Sequence, residues 1–465
     1  MYRELQHLRQ ALAEGMRATL PTLSEVDPDK LLATYLDRLT LYVGLDVADK
    51  TFSVRAIDAG GNSLGSLEDC PNQQKGFDHL RHWVDGLLAK HDLRLVAVAA
   101  ETTGVYYWAL WDYLAHSTPF ARVLFNPRTT SHMAAVLSVK VRDEQVDALL
   151  IAQQLRLGST PEVQLCEDAD LLSARLCSRA ARDLACQINR KKNQLRSLLR
   201  AYSPAVNFTF PGAKLHHPAV AALLKQFLFA DEFIAAGEDT LTELLADSCR
   251  SAFGREDART LIAYSQHVIA RPIQCHALRL RVHFLLDDIQ NLKRQQKQML
   301  TTGFDLIKHR PETRLIYRRV PGAGISNTLA LVSELEDVSR FPDGEHLASF
   351  LGLTTSKHIS GTSVYHAKRI TKQGSPNARY AAVNMAGFLR RKVPRYQNMY
   401  QSICARRPPR KGHYVAQVAV ARDFITNVLH DMFVNHRPFF LEVEDYRNYR
   451  QQLSTRPSSN VLPDN

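Results

Sequence analysis

Leu41-Tyr-Val-Gly-Leu-Asp46-Val47 is the stretch on which the fold turns. An apolar run of this length, relieved by one glycine and closed by an acid, reads as a buried strand with a carboxylate at its tip. Residues 52–57 alternate at hairpin distance from it. Asp58-Ala-Gly-Gly-Asn62 supplies a turn, and residues 63–67 can form a third short strand. Residues 72–88 read as a helix with Phe77, Leu80, Trp83 and Leu87 along one side. Residues 93–100 form a second buried apolar strand that runs into Glu101, residues 105–114 read as helical, and Val123-Leu-Phe125 reads as a strand. Helices are expected from Pro127 and from Arg142. Before all of this, residues 1–40 read as a helical N-terminal arm.

The resulting order is three strands, helix, strand, helix, strand, helix. It resembles the ribonuclease-H-like fold, to which RuvC-type nucleases belong. In such a fold Asp46 sits on the central first strand, Glu101 at the tip of its neighbour, and the last helix supplies Asp143 or Glu144, together with Asp147. Spacings of three and four place side chains on one helix face. Converging carboxylates repel one another unless divalent cations neutralise them, and oxygen ligands suit Mg²⁺ or Mn²⁺. Each acid also has an ordinary reading. Asp46 can end a strand, Glu101 can cap the helix after Thr102-Thr103-Gly104, and Asp143 and Glu144 can be first-turn acids favoured by the helix dipole.

A chain of 465 residues exceeds one hydrophobic core, so two or three domains are expected. Net charge is +12, a balance that favours a polyanionic partner. The contrast within the chain is sharper, because residues 346–422 contain no Asp or Glu at all. Such a segment can lie against phosphates without repulsion. The seven cysteines are scattered and form no CxxC pair, which argues against a disulfide framework or zinc knuckle and for a reducing, cytoplasmic setting. The first twenty residues mix Arg, Glu and His among apolar ones and do not read as a signal peptide; no apolar run is long enough to span a membrane.

Residues 161–314 read as a helical linker. Leu172, Leu176, Ala180, Leu184, Ile188, Leu195 and Leu199 give one long helix a near-heptad seam. A second runs from about residue 277 to 300 with Leu285, Ile289, Leu292 and Met299 on one face. The two can pair within the chain or across protomers. Between them, residues 204–276 read as an inserted helical subdomain. Residues 315–440 form a further domain, and 441–465 a tail expected to be disordered. The domain opens on Val320-Pro-Gly-Ala-Gly324, a turn whose Gly322 and Gly324 offer backbone N–H groups at a helix start, an arrangement that suits phosphate. Residues 352–361 read as a loop, and a helix opens after Lys372-Gln-Gly374.

Taken together, Gly44-Leu-Asp46, Glu101-Thr-Thr-Gly104, Val146-Asp147-Ala148, Pro321-Gly-Ala-Gly324, Gly352-Leu353 before Ser360-Gly361, and Ile370-Thr-Lys372-Gln-Gly374 resemble the transposases of the insertion-sequence 110 family. These are DEDD-type, bridge-RNA-guided serine recombinases related to Piv-type invertases. The likeness covers residues 41–160 and 315–435. The implied fold is α/β plus α: an RNase-H-like (RuvC-like) domain, a long coiled-coil-like middle, and a mostly helical C-terminal transposase domain with a helix-hairpin-helix-like PGxG turn. The implied acid set is Asp46, Glu101, Glu144 and Asp147. The family has Asp where this chain has Glu144, so Asp143 stays an alternative third acid. The implied nucleophile is Ser360, which attacks a DNA phosphate to give a phosphoserine, and which a Ser-Gly turn would explain equally on spacing alone. Lys357, Lys368, Arg369, Lys372, Arg379, Arg390, Arg391 and Lys392 would meet backbone phosphates. The implied partners are donor and target DNA, a guide (bridge) RNA, and further copies of the chain, a dimer assembling to a tetramer that shares a composite site. Nucleoid association would follow from DNA binding. Two other readings stand beside it: a RuvC-like Mg²⁺-dependent junction nuclease with Ser360 inert, and a non-catalytic nucleic-acid-binding protein.

Overall fold

A computed structural model describes residues 2–17, 28–139, 142–158, 160, 162–163, 168–247, 253–267, 276–360 and 364–439. The chain divides into two compact units, Met1–Leu165 and Cys166–Asn465. The expected tail at 441–465 lies outside the described residues. Among the described residues no helix is long and apolar enough to cross a membrane.

The first unit is built on a five-stranded sheet of order β3-β2-β1-β4-β5. Its strands are β1 (Thr40–Val47), β2 (Thr51–Ile57), β3 (Ser63–Pro71), β4 (Leu95–Glu101) and β5 (Ala121–Phe125). The hairpins make β1–β2 and β2–β3 antiparallel, whereas β1–β4 and β4–β5 are parallel. The helices are α1 (Arg3–Arg17), α2 (Pro28–Arg38), α3 (Gln74–His91), α4 (Trp108–Ser117), α5 (Pro127–Val136) and α6 (Glu144–Leu157). Strand alternation sorts side chains onto two faces. Leu41, Val43, Leu45, Phe52 and Val54 pack under Phe77, Leu80 and Val84 of α3 and Leu110 and Leu114 of α4. Tyr42, Ile57, Ala97, Ala99 and Phe125 pack on the other face against Tyr2, Leu5 of α1, and Ile151, Ala152 and Leu155 of α6. The element order matches the sequence reading. The described part of the N-terminal arm does not project: α1 lies in the core, and Glu4 accepts bonds from the Arg122 backbone N–H and guanidinium at 2.7 and 2.9 Å.

The second unit begins with α7 (Ala169–Tyr202), which pairs antiparallel with α12 (His276–Ile307) within the chain. Lys191 meets Asp288 at 2.7 Å, and Gln296 donates to the Ala181 carbonyl at 3.1 Å. The insert between them holds α8 (Pro204–Thr209), α9 (Pro218–Gln226), α10 (Ala230–Asp247) and α11 (Arg255–His267). It has its own core of Val206, Phe210, Leu223, Phe233, Leu241 and Leu261 against Leu199 and Ile289.

The C-terminal part comprises α13 (Pro311–Ile316), α14 (Ile325–Leu335), α15 (Gly344–Phe350), β6 (Thr355–Ser360), β7 (Val364–Ile370), α16 (Pro376–Lys392), α17 (Pro394–Ala405), α18 (Pro409–Phe424) and α19 (His430–Val434). Its centre is α14, enclosed by Met385 and Leu389 of α16 and Val420 and Phe424 of α18. One expectation is corrected here. Residues 352–361 were expected to form a loop, but residues 355–360 are a strand paired antiparallel with 364–370, with Ile359 opposite Tyr365 and Ser360 opposite Val364. The ribbon rises from a clamp of two glycine turns. Gly352 (φ +66°) and Gly374 (φ +71°) adopt left-handed conformations. A Cβ at Gly352 would stand 2.5 Å from Gln373 N, and one at Gly374 only 3.0 Å from Phe350 C. The Thr371 N–H bonds Thr354 O at 2.9 Å and the Lys372 N–H bonds Gly352 O at 3.1 Å, closing the base.

Candidate active site

The site in the first unit is assembled by one close approach. Even-numbered residues of β1 (Tyr42, Gly44, Asp46) face α6. A Cβ on Gly44 would stand 2.5 Å from Ala152 N and nearer still to Ala148 O. Ala148 and Ala152 are themselves buried. Small residues on both elements therefore let the helix lie directly on the strand, which carries the first turn of α6 to the tip of β1. In the parallel pair Leu45 lies beside Ala100, so Asp46, next to last in β1, and Glu101, last in β4, stand at the same level.

Burial pushes the Asp46 carboxyl up to about 6, and the charges of Asp147, Glu101 and Glu144 push in the same direction. Asp147, Glu101 and Glu144 thus all stand close enough to Asp46 to act on it. Glu144 is held there by Ser53, which pairs with Asp46 across the hairpin and donates from Oγ to Glu144 Oε2 at 3.2 Å. Asp143 has a different job: its carboxylate caps α6, accepting the Val146 N–H at 2.7 Å. Thr103 Oγ1 donates to Glu101 Oε2 at 3.1 Å, while Glu101 Oε1 is buried without a partner.

The donor set is carboxylate oxygen throughout, the chemistry that hard divalent cations take. A buried carboxyl that resists ionisation and an orphaned Glu101 oxygen both call for a cation, so these residues fit one. As the side chains stand, no group of three His, Cys, Asp or Glu among the described residues is arranged to hold a metal ion. A guanidinium lies there instead: Arg142 Nε and Nη2 both approach Asp147 Oδ1 at 2.8 Å.

In the second unit Ser360 closes β6, at the far end of the ribbon from its glycine base. Lys357 and Lys368 lie on β6 and β7, and the exposed Arg369 follows on β7. Lys372 is exposed on the clamp, with φ +56°. Arg379 reaches back to brace that clamp, donating to Leu351 O at 3.0 Å and Gln373 O at 3.1 Å. Gly322, with φ +86°, packs under Phe388, and its carbonyl accepts a bond from Asn327 at 2.8 Å. Gly324 is the exposed N-cap of α14. Arg390 stacks over Tyr400 at 4.4 Å and Arg391 over Phe388 at 4.8 Å, and with Lys392 they end α16, where cations also suit the helix dipole.

Sequence reasoning did not single out Arg142, Ser53 or Thr103. Ser53 could have been found by counting the hairpin register back to Asp46. Arg142 carried no signal beyond being a cation beside acids.

Residues 43–204 match a DEDD-type family of the insertion-sequence 110 group described as "Transposase", and residues 315–401 match "Transposase IS116/IS110/IS902 family". The chain is 26% identical over 189 residues to "Insertion element IS110 uncharacterized 43.6 kDa protein" of Streptomyces coelicolor, a match covering 40% of this chain and 46% of that one. It is 21% identical over 406 residues to "Pilin gene-inverting protein" of Moraxella bovis, covering 86% of this chain and 97% of the other. The protein of the same name from Moraxella lacunata matches at 21% over 406 residues.

Proposed function

We propose that this chain, which carries the two transposase domains of the insertion-sequence 110 family, cuts and rejoins DNA through a covalent phosphoserine at Ser360, guided by a structured RNA and assisted by the acid cluster. The observation that carries the reading is the burial of Asp46 beside Asp147, Glu101 and Glu144, which together raise its carboxyl to about 6. Repulsion of that kind is costly in a structural role and useful in one that binds cations.

Bound Mg²⁺ or Mn²⁺ would supply Lewis acidity to the oxygens of a phosphodiester. Asp46, Glu101, Glu144 and Asp147 would hold it, with Ser53 and Thr103 fixing the rotamers of the two glutamates. A serine hydroxyl is a weak nucleophile and needs a base or a metal to activate it. Residues 346–422 contain no Asp or Glu; in this reading the help comes from the four-acid set, of the same or another protomer. Ser360 Oγ attacks phosphorus, giving up its proton as the P–O bond to the leaving 3′-hydroxyl breaks. A 3′-hydroxyl from the exchanged strand then attacks the phosphoserine, and Ser360 recovers its proton. The number of phosphodiester bonds is conserved, so no water is consumed. Lys357, Lys368, Arg369 and Lys372 are placed on the same ribbon and its base, where they would position the DNA backbone but read no bases. Base pairing with RNA supplies the sequence choice in this reading.

The test is incubation with donor DNA, target DNA and RNA from the flanks of the element, followed by a denaturing gel. The reading expects a protein–DNA adduct that Ser360→Ala and Asp46→Asn each abolish. Cleavage that persists in Ser360→Ala, with no adduct in the wild type, would assign the chain to hydrolytic junction cleavage instead.

A further inference from the structure

The acid cluster contains a cation of its own. Arg142 belongs to the connection between α5 and α6, next to the Asp143 cap. Its Nε and Nη2 converge on one atom, Asp147 Oδ1, each at 2.8 Å. On its other side Nη1 stands 3.5 Å from Ser131 Oγ of α5. Its charge is also felt by Asp46 and Glu101. The Arg142 side chain keeps 41% of its surface exposed, against 24% for Asp147, so it covers the carboxylate from the solvent side.

We propose that Arg142 is a displaceable counter-cation, occupying the Asp147 oxygen that a divalent ion must take and leaving it when the ion arrives. The inference rests on the reading of the four acids as a metal site and adds a competitor to it. Three observations support displacement over a permanent brace. Both short contacts fall on a single oxygen, whereas a guanidinium fork holding a carboxylate for stability engages both oxygens, as Arg179 does with Glu334 at 2.7 and 2.8 Å. The residue lies outside the helix, on the short connection that precedes the α6 cap, so it can swing away without unwinding α6. One monovalent charge also leaves the cluster under-neutralised: Glu101 Oε1 remains buried and unpartnered while Arg142 is in place.

The consequence is a cluster that stays folded without metal and binds metal more weakly than four carboxylates alone would. Titration of the metal-free full-length chain with MnCl₂, read by calorimetry, tests it. Exchange of a partly exposed ion pair is worth a modest factor, so Arg142→Gln should bind Mn²⁺ about twofold to fivefold more tightly than wild type. Its melting temperature in EDTA should fall, and the rise on adding Mn²⁺ should be larger than in wild type. Arg142→Lys keeps the charge and should stay near the wild-type affinity. Equal or weaker Mn²⁺ binding by Arg142→Gln, with the fold intact by circular dichroism, overturns the inference and leaves the metal site standing. A wild-type chain that takes up no Mn²⁺ overturns the metal reading of the acids and this inference with it.

Discussion

Gly44→Ala is the sharpest test of how the acids are brought together. The added methyl would stand 2.5 Å from Ala152 N, and nearer to Ala148 O, where ordinary contact begins near 3.4 Å. A shortfall of about 1 Å must be absorbed, and both obstructing atoms are helix backbone that cannot rotate away. The whole of α6 has to lift from β1, loosening Ile151, Ala152 and Leu155 from the sheet. Overpacking of this kind costs about 1–3 kcal/mol, and the rigid obstacle puts the expectation at the upper end. For a unit of this size, about 3 kcal/mol corresponds to a loss of roughly 6–12 °C in the melting transition. The same lift moves Glu144 and Asp147 away from Asp46 and Glu101, and a displacement of about 1 Å at a reacting centre costs on the order of a hundredfold in rate. Differential scanning calorimetry, Mn²⁺ calorimetry and a strand-exchange assay read the three effects. Gly86→Ala is the control: it lies within α3 with nothing inside 4 Å of the new methyl, so it should hold or raise stability by up to about 1 kcal/mol. A Gly44→Ala protein that melts within 1 °C of wild type and binds Mn²⁺ equally would refute the argument.

Three further outcomes are expected. Asp46 keeps its proton to about pH 6 in the fold against an ordinary 3.8, so the native state binds the extra proton between those values. Metal-free stability is therefore lost through this group as pH rises across that window; in EDTA the wild type should fall below Asp46→Asn by pH 7 and converge with it near pH 4, and excess Mg²⁺ should reverse the order at pH 7. Arg179→Ala strands the Glu334 carboxylate, whose side chain is 3% exposed, and should destabilise the second unit by about 3–5 kcal/mol in urea unfolding, most of it recovered by adding Glu334→Leu. Gly374→Ala meets the Phe350 carbonyl from a left-handed conformation and should cost about 1–3 kcal/mol in the same assay, with adduct formation falling more steeply than stability.

The strand order around Asp46 was legible because β1, β2, β4 and β5 are largely buried apolar runs, and because each acid lies near the tip of a strand or in the first turn of a helix. The choice between Asp143 and Glu144 was not. Both are acids at a helix start, and only the Ser53 hydroxyl, distant in sequence, separates the cap from the cluster member. The ribbon at 355–370 escaped notice because Thr355, Ser356, Lys357 and His358 have no apolar alternation, the signal on which a strand is read from sequence. Arg379 reads in sequence as one more cation of a basic segment, and nothing there signals that its guanidinium also braces carbonyl oxygens of the clamp. Charge counts do not distinguish a cation facing solvent from one turned inward.

The clamp of Gly352 and Gly374 also governs how the ribbon can be re-engineered. With its base locked, the only adjustable dimension is strand length, and side chains alternate faces at every residue. Adding one residue per strand would turn position 360 to the opposite side; adding two would keep its facing and carry it about 7 Å farther out. The reach of residue 360 is therefore quantised, and designed variants that keep its facing can change it only in paired steps.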